Sequence, residues 1–197
     1  MSKIKTNQLA HTSNGAAVYT LPQTDGSAGQ VLQTDGSGNL SWVTRATTSG
    51  ITMVDEWRVA SSFSGTSTTV DTGWERNDTQ FAQIGTGMTQ SSGIFTFPST
   101  GIYLVQFTAN AYITASGDSR YVGCSIYATS DNSSYNRRST SYDSAYSRSA
   151  NVASSSNTQL IFDCTNTSND KVKFVIESEL SATFEFSTDD NRTFATF

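Results

Sequence analysis

The sequence predicts an all-β protein, and three observations support this fold class. Ser and Thr occupy 60 of the 197 positions, whereas only 15% of the residues are charged and Pro occurs twice. This composition favours strands over helices. No stretch of a dozen residues keeps the 3.6-residue apolar period of a helix. After residue 50, apolar and polar residues instead alternate repeatedly, which is typical of antiparallel strands with one buried face.

The first 49 residues contain a ten-residue repeat, in which Thr24-Asp25-Gly26-Ser27 recurs as Thr34-Asp35-Gly36-Ser37. Asp-Gly favours tight turns because Gly readily adopts positive φ, so short strands joined by turns are expected. The candidates for burial in this segment are Val31, Leu32, Leu40 and Trp42. Four such residues cannot support a monomeric core. We therefore expect a stem, residues 1–49, that pairs with other copies of the chain around a symmetry axis.

Residues 50–197 are expected to form a separate head. Residues 101–112 show the clearest alternation, and eight or more strands at this spacing predict a sandwich or jelly roll. Cys124 and Cys164 fall on inward strand faces, where structural burial is favoured over a disulfide or reactive chemistry. The predicted core comprises Phe95, Phe97, Tyr103, Val105, Phe107, Phe162, Phe174, Ile176 and Phe194.

The strand at 101–112 is also apolar on the face opposite the core, at Ile102, Leu104 and Tyr112. A second apolar face needs a second burial partner, which a closed cyclic oligomer provides. These three residues are therefore predicted, with the four apolar residues of the stem, to pack between copies of the chain.

Three motifs of the head resemble one known superfamily. The first motif is a strand that ends in Phe97-Pro98 and is followed by a strand with Gly101-Ile102-Tyr103 and Phe107. The second is Asn169-Asp170-Lys171-Val172, and the third is the terminal Thr193-Phe194-Ala195-Thr196-Phe197. Together they resemble the tumour-necrosis-factor and complement-globular-head superfamily, although Asn169 stands where Gly is usual and Ala195-Thr196 replaces Ser-Gly. The resemblance covers residues 53–197 and implies an antiparallel jelly roll packed as a tight homotrimer.

The stem resembles a different group of proteins. Leu21-Pro22 is followed, over residues 26–42, by Gly-Gln-Val-Leu and then Asp-Gly-Ser-Gly-Asn-Leu-Ser-Trp. This pattern resembles a module of bacteriophage fibre and virion structural proteins. It implies a protein of the virion, assembled in the host cytoplasm, with residues 1–20 contacting other virion proteins and with stem and head on one threefold axis.

Several classes of function are disfavoured. The only histidine is His11, far from the predicted core strands, so Ser-His-Asp and Cys-His arrangements lack a base. A glycan-cleaving enzyme needs a pair of carboxylates, and no such pair is recognisable in the sequence. No cofactor or metal site is predicted; turn chemistry explains Asp131-Asn132 and Asp189-Asp190-Asn191, and calcium remains the alternative there. A net charge of −5 with scattered basic residues argues against nucleic acid. The first residues lack the apolar region of a signal peptide, and no run is long enough to span a membrane.

The candidate ligand-binding residues lie in the Ser- and Asn-rich segment 130–157. Tyrosines interleaved with arginines provide rigid contact area and hydrogen bonds, as in antibody paratopes, and such chemistry suits a surface polysaccharide. The candidates are Tyr135, Arg137, Arg138, Tyr142, Tyr146 and Arg148. The alternative is that this segment forms edge strands whose tyrosines pack at the trimer contact. The predicted function is a trimeric phage fibre or appendage that binds the host surface, or alternatively a capsid decoration or connector with a structural role.

Overall fold

The computed structural model describes residues 7–10, 18–45, 50–78, 81, 83–113, 119–145 and 151–197. Throughout these ranges the regular structure consists of β-strands, without a helix. The predicted all-β class is therefore confirmed. Contacts divide the chain into two compact units, residues 1–50 and 51–197.

The N-terminal unit contains two small antiparallel pairs. Strand β1 pairs with β2, and β3 forms a hairpin with β4 in which Leu32 lies opposite Trp42. In a single chain Val31 and Leu32 are exposed, whereas Leu40 and Trp42 are half-buried. The strand bounds are Gln8–Ala10 (β1), Val18–Thr20 (β2), Gln30–Thr34 (β3) and Leu40–Thr44 (β4).

The two copies of the repeat adopt different structures. The second copy forms the β3–β4 turn, where the Asp35 carboxylate accepts the N–H groups of Ser37 (2.7 Å) and Asn39 (3.1 Å) and Gly36 has a φ of 78°. The first copy forms no hairpin. Instead, Gly26 lies against the Trp42 ring, where a Cβ atom would come within 2.5 Å of the indole. Asp-Gly thus makes the expected positive-φ turn only in the second copy.

The head, residues 51–197, consists of two antiparallel sheets. The strands are Glu56–Val59 (β5), Phe63–Gly65 (β6), Thr68–Thr69 (β7), Trp74–Arg76 (β8), Thr89–Ser91 (β9), Ile94–Thr96 (β10), Gly101–Ile113 (β11), Ser119–Thr129 (β12), Asn136–Ala145 (β13), Val152–Cys164 (β14), Lys171–Ser178 (β15), Ala182–Phe184 (β16) and Phe194–Thr196 (β17). Sheet I has the order β6-β16-β11-β17-β5-β8 with β14 also paired to β11, and sheet II has the order β13-β12-β15-β10-β9 with β7 also paired to β15.

An aromatic cluster fills the core between the two sheets. Phe174 on β15 lies 4.7 Å from Phe107 on β11, 5.3 Å from Phe95 on β10 and 5.5 Å from Trp74 on β8, measured between ring centroids. Such ring pairs add to the free energy gained by burying the rings. Alternation along β11 points its odd-numbered residues inward. The buried residues include Phe95, Phe97, Tyr103, Val105, Phe107, Phe174 and Ile176.

Two residues expected in the core are less buried than predicted. Phe162 is only partly buried but packs against the core, where its ring stacks on Phe97 at 5.1 Å. Phe194 is half-buried on the outward side of β17, because the residues that enter the core here are Ala195 of β17 and Phe197 directly after it. The register is fixed by the backbone, since Phe197 exchanges N–H···O bonds with Asp55. The core assignment of Phe194 was therefore wrong by one strand position.

A buried carboxylate organises the beginning of the head. Asp55 is fully buried, and its Oδ2 accepts hydrogen bonds from Met88 N (2.7 Å), Trp57 Nε1 (2.9 Å) and Arg76 Nη2 (3.2 Å). Its Oδ1 accepts from Glu56 N and Arg76 Nε, both at 3.0 Å. The Arg76 guanidinium also lies 4.6 Å from the centre of the Trp57 ring. One side chain thus joins β5, β8 and the segment before β9.

Both cysteines are free and buried in the head. The Cys124 thiol on β12 donates to the carbonyl oxygen of Phe107 at 3.5 Å. Burial raises the pKa of Cys124 to about 12, and burial also raises the pKa of Cys164. Both sulfurs consequently remain protonated thiols near neutral pH.

Candidate ligand-binding face of the head

The outward side of sheet II carries an unusual group of tyrosines, which we call the tyrosine face. It consists of Tyr121, Tyr127, Tyr135, Tyr142, Arg137, Lys173 and Glu177. Strand pairing explains the grouping, because Tyr127 lies opposite both Arg137 on β13 and Lys173 on β15. Four residues earlier on β12, Gly123 lies opposite both Tyr142 and Glu177. Residues directly opposite one another project from the same side of a sheet.

A buried glutamate anchors the polar part of this face. Glu177 is 6% exposed and accepts hydrogen bonds from the hydroxyls of Ser67 (2.9 Å) and Ser125 (3.1 Å). The Arg137 guanidinium lies 3.7 Å from the Glu177 carboxylate and donates to the Tyr142 hydroxyl at 2.9 Å. Glu177 therefore fixes Arg137, and Arg137 in turn fixes the end of Tyr142.

A glycine makes room for the Tyr142 ring beside β12. A Cβ atom on Gly123 would stand 2.5 Å from the Tyr142 ring and 2.3 Å from the Ser141 carbonyl oxygen. The Tyr121 ring meets the Tyr142 ring edge-on at 5.3 Å. Tyr142 nevertheless remains 48% exposed. A held but exposed aromatic ring is a platform on which an apolar ring face can stack.

Lys173 lies between two other tyrosines. Its ammonium nitrogen is 4.9 Å from the centre of the Tyr135 ring and 5.8 Å from that of Tyr127. Burial raises the pKa of both phenols, so both stay neutral hydrogen-bond donors. The Tyr135 hydroxyl is shielded from solvent and has no hydrogen-bond partner within the described part of the chain.

A groove continues the tyrosine face across β10 and β9. Its volume is about 370 Å³, and its lining includes Thr89, Ser91, Thr96, Asn132 and Lys171. We call it the lysine groove because Lys171 lines it; the Lys171 ammonium donates to Thr96 Oγ1 and to the Thr167 carbonyl oxygen, both at 3.1 Å. Ile94 borders the groove and pairs with Lys173, so the groove and the tyrosine face adjoin.

The structure brings together only part of the set predicted from the sequence. Tyr135, Arg137 and Tyr142 lie on the tyrosine face, whereas Arg138 is exposed at an irregularity in the β12–β13 pairing. Tyr146 and Arg148 lie outside the described residues. The segment is mainly strand, and β13 and β14 are edge strands of their sheets, as the edge-strand alternative expected; whether their tyrosines pack between copies of the chain stays a prediction. The sequence reasoning missed Tyr121, Tyr127, Lys173 and Glu177, although alternation along β12 and β15 already turned Tyr127 and Lys173 outward.

The outward side of sheet I is apolar at one end. Leu104 lies directly opposite Ile161, and Ile102 is its neighbour along β11. These three side chains, the aliphatic patch, are exposed by 49%, 74% and 68% for Leu104, Ile161 and Ile102, respectively. Tyr112 is 40% exposed at the other end of β11, where a hydrogen bond to Glu185 raises its pKa. Ile161 was not selected from the sequence.

The middle of the same surface is polar. Gln106 bonds to Gln159 at 3.2 Å, and Asn157 bonds to Thr108 at 2.6 Å, across β11 and β14. The aliphatic patch and Tyr112 are therefore two separate apolar regions on one sheet.

The oxygen-rich turns serve the local backbone. Asp131 Oδ1 accepts from the backbone N–H groups of Ser133 (2.9 Å) and Ser134 (2.7 Å) and from the Thr129 hydroxyl (2.7 Å), which lowers the pKa of Asp131. The described residues contain no group of three or more His, Cys, Asp or Glu that could hold a metal ion. His11 lies outside those residues. A search of the same residues finds no helix of the length and apolar character needed to cross a membrane.

The two sheets and their connections define a jelly roll of the tumour-necrosis-factor type. The crystal structure of murine APRIL at pH 5.0 matches with a TM-score of 0.54 and 15% identity, over 73% of this chain and 95% of that one. The Eiger TNF structure from S. frugiperda matches with a TM-score of 0.52 and 13% identity, over 73% and 89%. No family model and no curated protein matches the sequence. The predicted jelly-roll fold is thus confirmed, and at these identities the likeness concerns the fold alone.

Proposed function

We propose that the protein is a homotrimeric appendage of a phage virion, and that its head attaches the particle to a glycan on the host surface. The observation that carries this proposal is the contrast between the two outward faces of the jelly roll. Sheet I exposes an aliphatic patch suited to a copy of the chain, and sheet II exposes ordered tyrosines suited to a sugar. The phage assignment rests on the resemblance of residues 21–42 of the stem, and under this proposal residues 1–20 contact other virion proteins.

The aliphatic patch supports self-association. Three aliphatic side chains that are half to three-quarters exposed form one cluster on a β-sheet, where water contact is unfavourable. Closed cyclic symmetry covers the same patch on every copy. The tumour-necrosis-factor resemblance favours three copies, and the exposed Val31 and Leu32 of the N-terminal unit are accounted for by the same association.

A Leu104→Glu substitution in the full chain tests the trimer. The unaltered protein should have three times the 21.2 kDa mass of one chain by light scattering. Leu104→Glu should lower that mass, because a carboxylate buried in an apolar contact costs several kcal/mol. Leu180→Glu is the matched control, since Leu180 is also exposed but lies outside the patch. A monomeric unaltered protein would refute the trimer.

The tyrosine face supports attachment by glycan binding. Exposed aromatic faces pack against the apolar faces of sugar rings, while the half-exposed Arg137 guanidinium provides donors for sugar hydroxyls. A weak single-site contact suffices, because three copies engaging one surface gain on the order of a hundredfold in avidity. The proposed role involves binding without catalysis and needs no cofactor.

Tyr142→Ala tests attachment. Labelled protein is incubated with bacterial cells and with polysaccharide extracted from them. Tyr142→Ala should weaken binding about tenfold or more per site, which corresponds to about 1.4 kcal/mol, while the trimer mass stays the same. Tyr19→Ala is the control, because Tyr19 is 41% exposed in the N-terminal unit. Trimers that bind no cell type or extract would support the alternative, a capsid decoration or connector.

A further inference from the structure

We propose that the ligand is an acidic polysaccharide whose sugar rings stack on the tyrosine face while its anionic groups contact Lys173 and Lys171. The inference rests on the proposed glycan binding and adds the ligand's charge and path. It follows from where the head leaves its positive charges and from the position of the lysine groove beside the tyrosine face.

In the described part of the head most cations are paired internally, and those that remain unpaired all lie on sheet II. Arg58, Arg76, Arg120 and Arg192 each have a carboxylate within 3.4 Å. In the described part of the head, the basic residues without an ion pair are Arg138, Lys171 and Lys173, which belong to β13 and β15 of sheet II. A chain with a net charge of −5 thus leaves unpaired positive charge on one sheet. Such a region attracts anions.

The carboxylates near this face are already engaged. Glu177 accepts from two serine hydroxyls and lies beside Arg137. The Asp131 carboxylate accepts hydrogen bonds from its own turn. Neither carboxylate forms an ion pair with Lys171 or Lys173, so both ammonium groups can approach an external anion.

The geometry suits a chain of sugars better than a single small ion. Lys171 and Lys173 project from the same side of β15, about 7 Å apart at two residues' spacing. Lys173 is flanked by the Tyr127 and Tyr135 rings, and Lys171 lies in the lysine groove. Aromatic, cationic and hydroxyl-lined surface therefore follow one another from Tyr142 to Thr89. A polysaccharide with repeated anionic groups can contact all three in sequence.

Binding of the full-length protein to immobilised polymers tests the proposal. The polymers are polygalacturonate, which carries carboxylates, dextran sulfate, which carries sulfates, and neutral dextran; single-stranded DNA serves as a competitor. We expect binding to at least one acidic polymer, with a loss of about tenfold or more when salt rises from about 0.05 M to about 0.5 M, because screening shortens the range of charge attraction. The preference between the first two polymers identifies the anionic group.

A matched pair of variants separates charge from stability. Lys171→Gln with Lys173→Gln should weaken binding to the acidic polymer at least about tenfold and reduce its salt dependence, at an unchanged melting temperature. Arg192→Gln, which removes an exposed but paired cation, should leave binding unchanged. Salt-independent binding to neutral dextran that survives the double substitution would overturn this inference and leave the glycan proposal standing. Binding to no polysaccharide would overturn both, and equal competition by DNA would overturn polysaccharide selectivity.

Discussion

Replacing Asp55 by Asn should destabilise the head strongly while changing its shape very little. Five hydrogen bonds converge on the two carboxylate oxygens, three on Oδ2 and two on Oδ1. An Asn side chain presents one NH₂ group in place of one oxygen. Whichever way the amide turns, at least two donors then face another donor. The substitution also removes the negative charge beside Arg76.

The expected cost follows from these losses. An unsatisfied buried donor costs about 1–3 kcal/mol, and breaking a buried ion pair by removing one partner costs about 3–5 kcal/mol. The Arg76 side chain is 36% exposed and can recover some hydration, so we expect about 3 kcal/mol in total. At about 2–4 °C per kcal/mol for a unit of this size, the melting temperature should fall by about 10 °C.

Differential scanning calorimetry at fixed protein concentration measures this shift, because association makes melting depend on concentration. Asp71→Asn is the matched control, since Asp71 is exposed and the same substitution there should change the melting temperature by about 2 °C or less. If Asp55→Asn melts within about 2 °C of the unaltered protein, the buried carboxylate does not organise the head as the structure indicates.

Three further predictions concern individual positions. Cys124 and Cys164 should resist thiol reagents in the native protein and react on unfolding, and rapid labelling of the native protein would contradict their burial. Because the pKa of Cys124 is raised to about 12 in the folded protein, the stability that comes from keeping this thiol protonated is complete below the pKa of the unfolded chain and is lost as pH rises toward 12. Gly93→Ala should destabilise the head by more than about 1 kcal/mol in a urea titration, since φ is +73° and the added Cβ would lie 2.1 Å from the Val70 carbonyl oxygen. The pKa of Asp35, measured by NMR titration, should lie below its ordinary value of 3.8, because the Asn39 side chain donates a hydrogen bond to the Asp35 carboxylate. The stability that this carboxylate gives the turn is therefore present above the pKa of the unfolded chain and is lost as pH falls. A midpoint above 3.8 would exclude the hydrogen bond.

Alternation along the chain predicted the elements whose inward residues are large. Strand β11 has Tyr103, Val105 and Phe107 on one side, so its buried face could be identified from the sequence. Strand β14 was not identified in the same way along its N-terminal half, because its inward residues there are Ser154, Ser156 and Thr158. Their hydroxyls hydrogen-bond inside the sandwich, for example Ser156 Oγ to the Val122 carbonyl oxygen at 3.0 Å. A strand whose buried residues carry hydroxyls shows no apolar alternation, so it cannot be predicted from that pattern.

The candidate site was predicted only in part, because it is assembled by pairing between distant strands. Tyr142 and Arg137 stood out by composition, but their partners Gly123 and Glu177 lie on β12 and β15 and carry no local signal. For Phe194 the strand was predicted correctly, but the side that faces the core was not. Its alternation with Ala195 was visible in the sequence, but only the Phe197–Asp55 backbone pairing decides which side faces the core.

The 13-residue strand β14 has consequences for biogenesis. In the described structure its only strand pairing is with β11; side chains of β13 contact its N-terminal half at Ser154 and Thr158, which leaves an unpaired strand edge toward exposed Ile161. It contains neither Lys nor Pro, the residues that commonly discourage strand addition. A newly synthesised subunit can therefore aggregate with unfolded chains through this edge until it assembles with other subunits. Slow synthesis at reduced temperature should raise the recoverable yield, whereas rapid overproduction should deliver the chain into inclusion bodies.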